Sequence, residues 1–259
     1  MLLQLTFLGT GSAFTDFRVN YHTNGVVETS EGLVLLDCGG TAVQSLKELS
    51  YTAQDVVAVL ITHMHGDHVG GLEQLVFERF YTGGPAWNRT RILAATDVHP
   101  SIRQYLNPMV NELTLRDGKL YSGGFDYLVS TVADQWFQVG GVTFTLHETP
   151  HVDGPGVRKP AYGVEVEKEG SSFYWTADTT FRSDIGDLFP DAEIIFHDCT
   201  FMPVYPGTVH THYEELLTLP DAVRARIVLM HHTVVPDGID VVADGFREAG
   251  SRHGVFEIG

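Results

Sequence analysis

The chain has 259 residues, 43% of them hydrophobic and 19% charged, with a mean hydropathy near zero. That composition suits a sizeable buried core and excludes disordered, collagenous and coiled-coil chains, and no apolar run approaches the ~18 residues of a membrane span. Its 16 Lys and Arg stand against 33 Asp and Glu, a formal charge of −17, which repels long polyanions and leaves no basic footprint for nucleic acid.

The segment Met1–Phe14 lacks a basic leading stretch and reads as a first strand, not a signal peptide. Cys38 and Cys199 are the only cysteines, which excludes a disulfide framework and suits a reducing cytosol.

In chain order, a strand is expected at Leu3–Leu8, then a turn over Gly9–Ser12, then strands at Gly25–Thr29 and Leu33–Asp37 joined by a Glu31-Gly32 hairpin turn. Thr41–Leu49 has helical spacing, and Val56–Ile61 is a β-branched apolar run that reads as a buried strand. Val69–Phe80 puts Val69, Leu72, Leu75, Val76 and Phe80 on one helical face. Thr82–Arg89 reads as a Gly/Pro loop, Ile92–Ala95 as a strand and Pro100–Met109 as a helix. From Tyr127 onward, strands are expected at Leu128–Ala133, Val142–Glu148, Ala161–Glu167, Ser172–Thr176, Ile194–His197, Arg226–Met230 and Gly254–Ile258. Helices are expected at Tyr213–Leu219 and Val241–Glu248. With no repeat, low-complexity tract or linker, residues 1–259 read as one α/β domain, two sheets between helical layers.

The 13 histidines are about twice a chance share, and they are not scattered. Thr62-His63-Met64-His65-Gly66-Asp67-His68 joins an apolar strand to an amphipathic helix. His63 and His65, two apart on extended backbone, point the same way. Asp67 and His68 follow on the turn that Gly66 permits, so three imidazoles and a carboxylate can face one space. Such borderline ligands suit Zn²⁺, Mn²⁺ or Fe.

This motif resembles the signature of the metallo-β-lactamase superfamily, whose fold is an αββα sandwich of two mixed sheets flanked by helices, with a two-metal site at one edge. Phe7–Ser12 and Leu35–Gly39 resemble the opening strands of its tRNase Z-like phosphodiesterase branch. The resemblance implies further ligands: His151 in Thr149-Pro150-His151, Asp178 in Ala177-Asp178-Thr179 as the carboxylate shared by both metals, and His231 after Val228-Leu229-Met230, with His232 as the alternative. The implied ligand set is His63, His65, Asp67, His68, His151, Asp178 and His231, for two divalent ions, zinc or else manganese. Seven N/O ligands without cysteine fit a catalytic pair better than a closed structural zinc site.

Phe196-His197-Asp198-Cys199-Thr200-Phe201 resembles the His-Glu-Ala-Thr-Phe stretch of tRNase Z-like enzymes, with Asp198 in place of Glu, and His210 resembles their catalytic histidine. Asp67, His210 and Asp198 are therefore the expected catalytic positions. An alkoxide leaving a phosphodiester needs a proton that His⁺ can give, and a carboxylate raises the pKa of that histidine. Lactams and lactones have no use for such a pair. His197 reads either as a phosphate contact or as a buttress, and the role of His212 is left open.

Val209–Pro220 resembles the anti-Pycsar proteins, metallo-β-lactamase-fold enzymes that hydrolyse cyclic mononucleotides. The resemblance implies a small cyclic nucleotide as substrate; the acidic charge and the lack of a long basic insertion argue against a stable nucleic-acid complex, no membrane is expected, and residues 77–127, with Arg79, Arg89, Arg91, Arg103, Arg116 and Lys119 among aromatics, read as a pocket cap or as the subunit contact of a cytoplasmic homodimer. The other readings are a tRNA 3′-end endonuclease, a non-enzymatic metal-dependent binding protein, and a hydrolase of lactones or other esters.

Overall fold

The computed structural model describes residues 2–83, 89–110, 114–116, 119–121, 128–154 and 156–259. One sheet contains β1 (Leu3–Gly9), β2 (Asn24–Thr29), β3 (Gly32–Leu36), β4 (Val56–Ile61), β5 (Thr90–Ala94), β8 (Val129–Ala133) and β18 (Val255–Ile258), in the order β18-β1-β2-β3-β4-β5-β8. The other contains β9 (Trp136–Val139), β10 (Val142–Glu148), β13 (Tyr162–Lys168), β14 (Ser171–Trp175), β15 (Ile194–Asp198), β16 (Ile227–Met230) and β17 (Glu248–Ala249), in the order β17-β16-β15-β14-β13-β10-β9. Two small hairpins, β6 (Thr114–Arg116) with β7 (Lys119–Tyr121) and β11 (Val152–Gly154) with β12 (Val157–Lys159), stand apart. Both sheets are mixed: β3, β4, β5 and β8 run parallel, as do β14 to β17, while the remaining neighbours are antiparallel.

Strand sequence explains the layering. On β14, Phe173 and Trp175 face the other sheet while Tyr174 faces outward; on β15 and β16, Phe196, Val228 and Met230 face in, and Ile195, Ile227 and Leu229 face out. Strands buried on both faces read as continuous apolar runs. An aromatic layer ties the sheets: Phe7 of β1 lies 5.5 Å, centroid to centroid, from both Trp175 and Phe196, and Phe256 of β18 lies 5.0 Å from Phe196. Helices α1 (Ala42–Glu48), α3 (Leu72–Thr82) and α4 (His99–Val110) pack on the first sheet. The short helices α5 (Ile185–Leu188), α6 (Tyr213–Leu216) and α7 (Asp221–Arg224) lie on the second sheet's outward face, where Ile185, Tyr213 and Leu216 meet Tyr174 and Leu229. The result is the αββα sandwich. No helix among the described residues is long and apolar enough to cross a membrane.

The differences from the expected elements have local causes. Val241–Glu248 is not a helix: the Asp240 carboxylate accepts from the amides of Val242 and Ala243, Gly245 sits at φ +91°, and the chain then enters β17. The helix expected at Val69–Phe80 is broken by Gly70-Gly71 into the one-turn α2 (Gly66–Val69) and α3. Asp37 lies beyond its strand, at φ +64°. β9 was not expected, although Val139-Gly140-Gly141-Val142 carries its signal: both glycines have positive φ, as a two-residue hairpin turn requires. Parts of the 77–127 segment, residues 84–88, 111–113, 117–118 and 122–127, lie outside the described residues. Within that segment Arg79 is buried and donates to the carbonyls of Ala53 and Val56.

Phe7 is fully buried between the sheets. Phe7→Ala is expected to cost about 3–5 kcal/mol, read in urea unfolding as a lower midpoint with an unchanged m-value.

Candidate metal centre

The site forms where strands of both sheets end. β3, β4, β14, β15 and β16 deliver Asp37, His63, Asp178, Asp198 and His231 at or just past their carboxyl ends, and β10 leads into His151. Three of these exits turn through left-handed backbone at non-glycine residues: Asp37 (φ 64°), Ala177 (φ 52°) and His231 (φ 65°). Each costs on the order of 1–2 kcal/mol; His231 itself enters the donor set, Ala177 directly precedes Asp178, and Asp37 stands behind His68. His63 and His65 lie on extended chain, and α2 presents Asp67 and His68. This segment is zipped to the loop after β3: Cys38 N–H donates to the His68 carbonyl (2.8 Å), Gly71 N–H to the Cys38 carbonyl (2.9 Å), and the Asn24 side chain to the Asp67 carbonyl (3.2 Å). A Cβ on Gly39 would overlap the Asp67 carbonyl, so only glycine allows this approach.

Among the described residues three overlapping donor groups share Asp178: two clusters, and beside them a third group of Asp178, Asp198, His210 and His231. In the first, His65 Nδ1 lies 3.2 Å from His63 Nε2 and 3.1 Å from His151 Nε2, while Asp178 Oδ2 lies 3.5 and 3.7 Å from those two Nε2 atoms. In the second, His68 Nε2 lies 3.3 Å from Asp67 Oδ2 and 3.2 Å from Asp178 Oδ1, and His231 Nε2 lies 3.3 and 3.4 Å from the same two oxygens. A tetrahedron with bonds of 2.0–2.1 Å has edges of about 3.3–3.4 Å.

The outer hydrogen bonds fix which nitrogens face inward. His68 Nδ1 donates to Asp37 Oδ2 (2.7 Å) and His151 Nδ1 to the Val209 carbonyl (2.7 Å). His231 Nδ1 faces Asp198 Oδ1 at 3.3 Å. The Thr62 hydroxyl gives its proton to Asp37 (2.7 Å), so it accepts from His63 Nδ1 at 3.1 Å. With Nδ1 protonated on these four rings, Nε2 is the nitrogen turned inward, free to bind a cation or a second proton. His68 Nε2 and Asp178 Oδ1 are buried with no hydrogen-bond partner. Converging lone pairs and carboxylates fit a divalent cation.

Electrostatics agrees. Burial, followed by its histidine neighbours, pushes His65 down to about 4, so the ring is neutral. Burial likewise takes His151 to about 4. Burial would raise Asp178, but His231, His68 and His63 outweigh it and hold the carboxyl well below its usual range. Burial would lower His231, yet Asp178, Asp198 and Asp67 push it up to about 10. The second cluster thus holds more negative charge than its two rings neutralise unless they bind protons or a metal.

Beside the clusters, His210 Nδ1 lies 2.9 Å from Asp198 Oδ2, and the His210 ring stacks on His231 at 4.7 Å. Asp198 is fully buried and also accepts from the Thr179 amide (2.9 Å). Burial would lower His210, but the Asp198 carboxylate prevails and holds it above its ordinary value. His232 is outside the clusters, with Nε2 facing the Leu229 carbonyl at 3.2 Å. His197 is buried and donates Nδ1–H to the Asp198 carbonyl (2.7 Å). His212 spends both ring nitrogens on Met202 and Thr208. Sequence reading assigned no role to Asp37, although a carboxylate directly after the apolar run Leu33–Leu36 is a visible anomaly.

Two mixed sheets with His/Asp clusters at one edge give the metallo-β-lactamase fold, and the clusters fit a metal-dependent hydrolase. YhfI of Bacillus subtilis, a metallo-β-lactamase fold protein, superposes with a TM-score of 0.76 at 18% identity over 100% of both chains. Human tRNase Z, short form, does so with a TM-score of 0.67 at 20% identity over 99% of both. Within that fold the chain belongs to the Anti-Pycsar protein Apyc1 family, whose sequence model matches residues 3–256. The Anti-Pycsar protein Apyc1 of Paenibacillus sp. (strain J14) is 31% identical over 240 residues, 90% of each chain.

Asp37 orients His68 without entering either cluster. Asp37→Ala is expected to weaken divalent-metal affinity about 10–100-fold, measured by competition with a chromophoric chelator.

Proposed function

We propose that the protein is a dinuclear-metal phosphodiesterase that hydrolyses cyclic nucleotides, 3′,5′-cyclic mononucleotides first, to nucleoside monophosphates, and so ends a cyclic-nucleotide immune signal. The observation that carries this reading is the His210–Asp198 pair beside the two donor clusters. Membership of the Anti-Pycsar family supports the substrate class.

His63, His65, His151 and Asp178 would hold one ion, and Asp67, His68, His231 and Asp178 the other. Zinc suits this N/O set, with manganese as the alternative. When bound, such a pair supplies Lewis acidity, making water a nucleophile at neutral pH and neutralising charge on the phosphoryl oxygens. The chain's own residues do the rest. Asp178 spans both positions with its two oxygens, and Asp67 adds a second carboxylate on the His68 and His231 side. Asp198 fixes the ring of His210 and favours its charged form; His210 then protonates the departing ribose oxygen. At a net −17 a small substrate with one phosphate diester is favoured over a polyanion. The active species in this reading is a cytoplasmic homodimer.

The deciding assay is a metal-replete panel of cyclic mononucleotides and precursor tRNA at ~0.15 M salt. Cyclic mononucleotides are expected to be cleaved faster, and faster 3′ cleavage of tRNA contradicts the reading. His210→Ala is expected to keep its metal and lose about 10²–10⁴-fold in rate. The loss shrinks on a nitrophenyl diester, whose leaving group needs no proton. Because His210 acts as the protonated form, kcat falls as pH rises through its elevated pKa, and that alkaline limb disappears in the variant.

A further inference from the structure

His212 is fully buried two residues past His210, at the entry to α6. A buried imidazole is costly unless its nitrogens find partners, and the two arms of one loop supply both. Nδ1 lies 2.7 Å from the Met202 carbonyl. A carbonyl only accepts, so Nδ1 carries the proton. In the neutral ring Nε2 then offers a lone pair, and the Thr208 hydroxyl lies 2.9 Å away to donate to it. The Thr208 oxygen in turn accepts from the His210 amide at 3.3 Å, and the His210 carbonyl, at 2.9 Å, is the other acceptor within reach of its one proton. A line of hydrogen bonds thus runs from the backbone of His210 through Thr208 and His212 to Met202.

Residues 202–207 are all exposed, so burial does little to fix them and directional bonds must. From the helix side, the His212 amide donates to Glu215 Oε2 (2.9 Å). The stretch held between Thr208 and His212 serves the site at each residue. The Val209 carbonyl accepts from His151 Nδ1, and His210 Nδ1 meets Asp198 Oδ2. The Thr211 hydroxyl donates to the Thr179 carbonyl (2.9 Å), and the Thr179 amide donates to Asp198 Oδ2.

We propose that His212 is a positioning residue for His210: acting through the Thr208 hydroxyl, it fixes the backbone from which the His210 ring reaches Asp198. The inference rests on the phosphodiesterase reading above, in which His210 gives the proton. A displacement of about 1 Å at a reacting group can cost on the order of 10²-fold in rate, so a side chain that touches no substrate can set kcat.

The test breaks this line one bond at a time. His212→Asn places an amide nitrogen where Nδ1 was, keeps a good helix-capping residue and gives up Thr208. Thr208→Val removes only the hydroxyl. Each is expected to lower kcat on a 3′,5′-cyclic mononucleotide about 10- to 100-fold, with KM and bound metal unchanged and a smaller loss on a nitrophenyl diester, the pattern of a misplaced proton donor. Thr208→Ser, which keeps the hydroxyl, is expected to recover the rate. The double variant is expected to lose little more than either single one, because both break the same link. Equal losses on the two substrates, loss of metal, or additive effects overturn the proposal and leave His212 a structural residue. If the unmodified protein cleaves no cyclic mononucleotide, the substrate reading fails and takes this one with it; turnover with unaltered kcat in both variants removes only the role of His212.

Discussion

Everything in this molecule answers to one electrostatic constraint: lone pairs of His63, His65, His68, His151 and His231 converge with the carboxylates of Asp67 and Asp178 in a buried volume. Converging lone pairs repel, and buried carboxylates are costly, unless positive charge sits among them. The surroundings enforce the arrangement. Acceptors on the outside of four rings (Asp37, Asp198, the Thr62 hydroxyl and the Val209 carbonyl) hold the protons on Nδ1 and keep Nε2 bare. The division of Asp178, Oδ2 toward one cluster and Oδ1 toward the other, makes one carboxylate common to both.

The scaffold exists to hold that arrangement against its own repulsion. No single segment carries all the ligands; they arrive from strands of two sheets that share one core, within which Phe7, Trp175, Phe196 and Phe256 form an aromatic layer. The left-handed residues Asp37, Ala177 and His231 store strain where the ligands are aimed, and the packed sheets over-determine their conformation. Glycine at position 39 lets two loops touch. The end of β15 places Asp198, and the loop ahead of α6 brings His210 onto it, so this pair is held by the framework that holds the ligands.

Legibility in the sequence followed the range of the interactions. The His63–His68 motif is local, and its spacing alone put its ligands on one side of a strand-to-helix turn. His151, Asp178 and His231 are far apart in the chain and were readable only through resemblance, each at the end of an apolar strand. Long buried strands such as Val56–Ile61 were plain from composition. Val241–Glu248 misled because helical spacing there competes with an Asp240 side-chain turn and a left-handed Gly245. Asp37 escaped notice because its role comes from Thr62 and His68, which are distant in sequence and adjacent only in the fold.

The central claim is a pair of ions sharing Asp178, and metal stoichiometry tests it most directly. Elemental analysis of metal-saturated, desalted protein should give two divalent ions per chain, and Asp178→Ala should reduce the number retained while leaving the far-ultraviolet circular dichroism of the sandwich intact. Saturation at one ion per chain, or a folded Asp178→Ala protein that still retains two, would contradict the account.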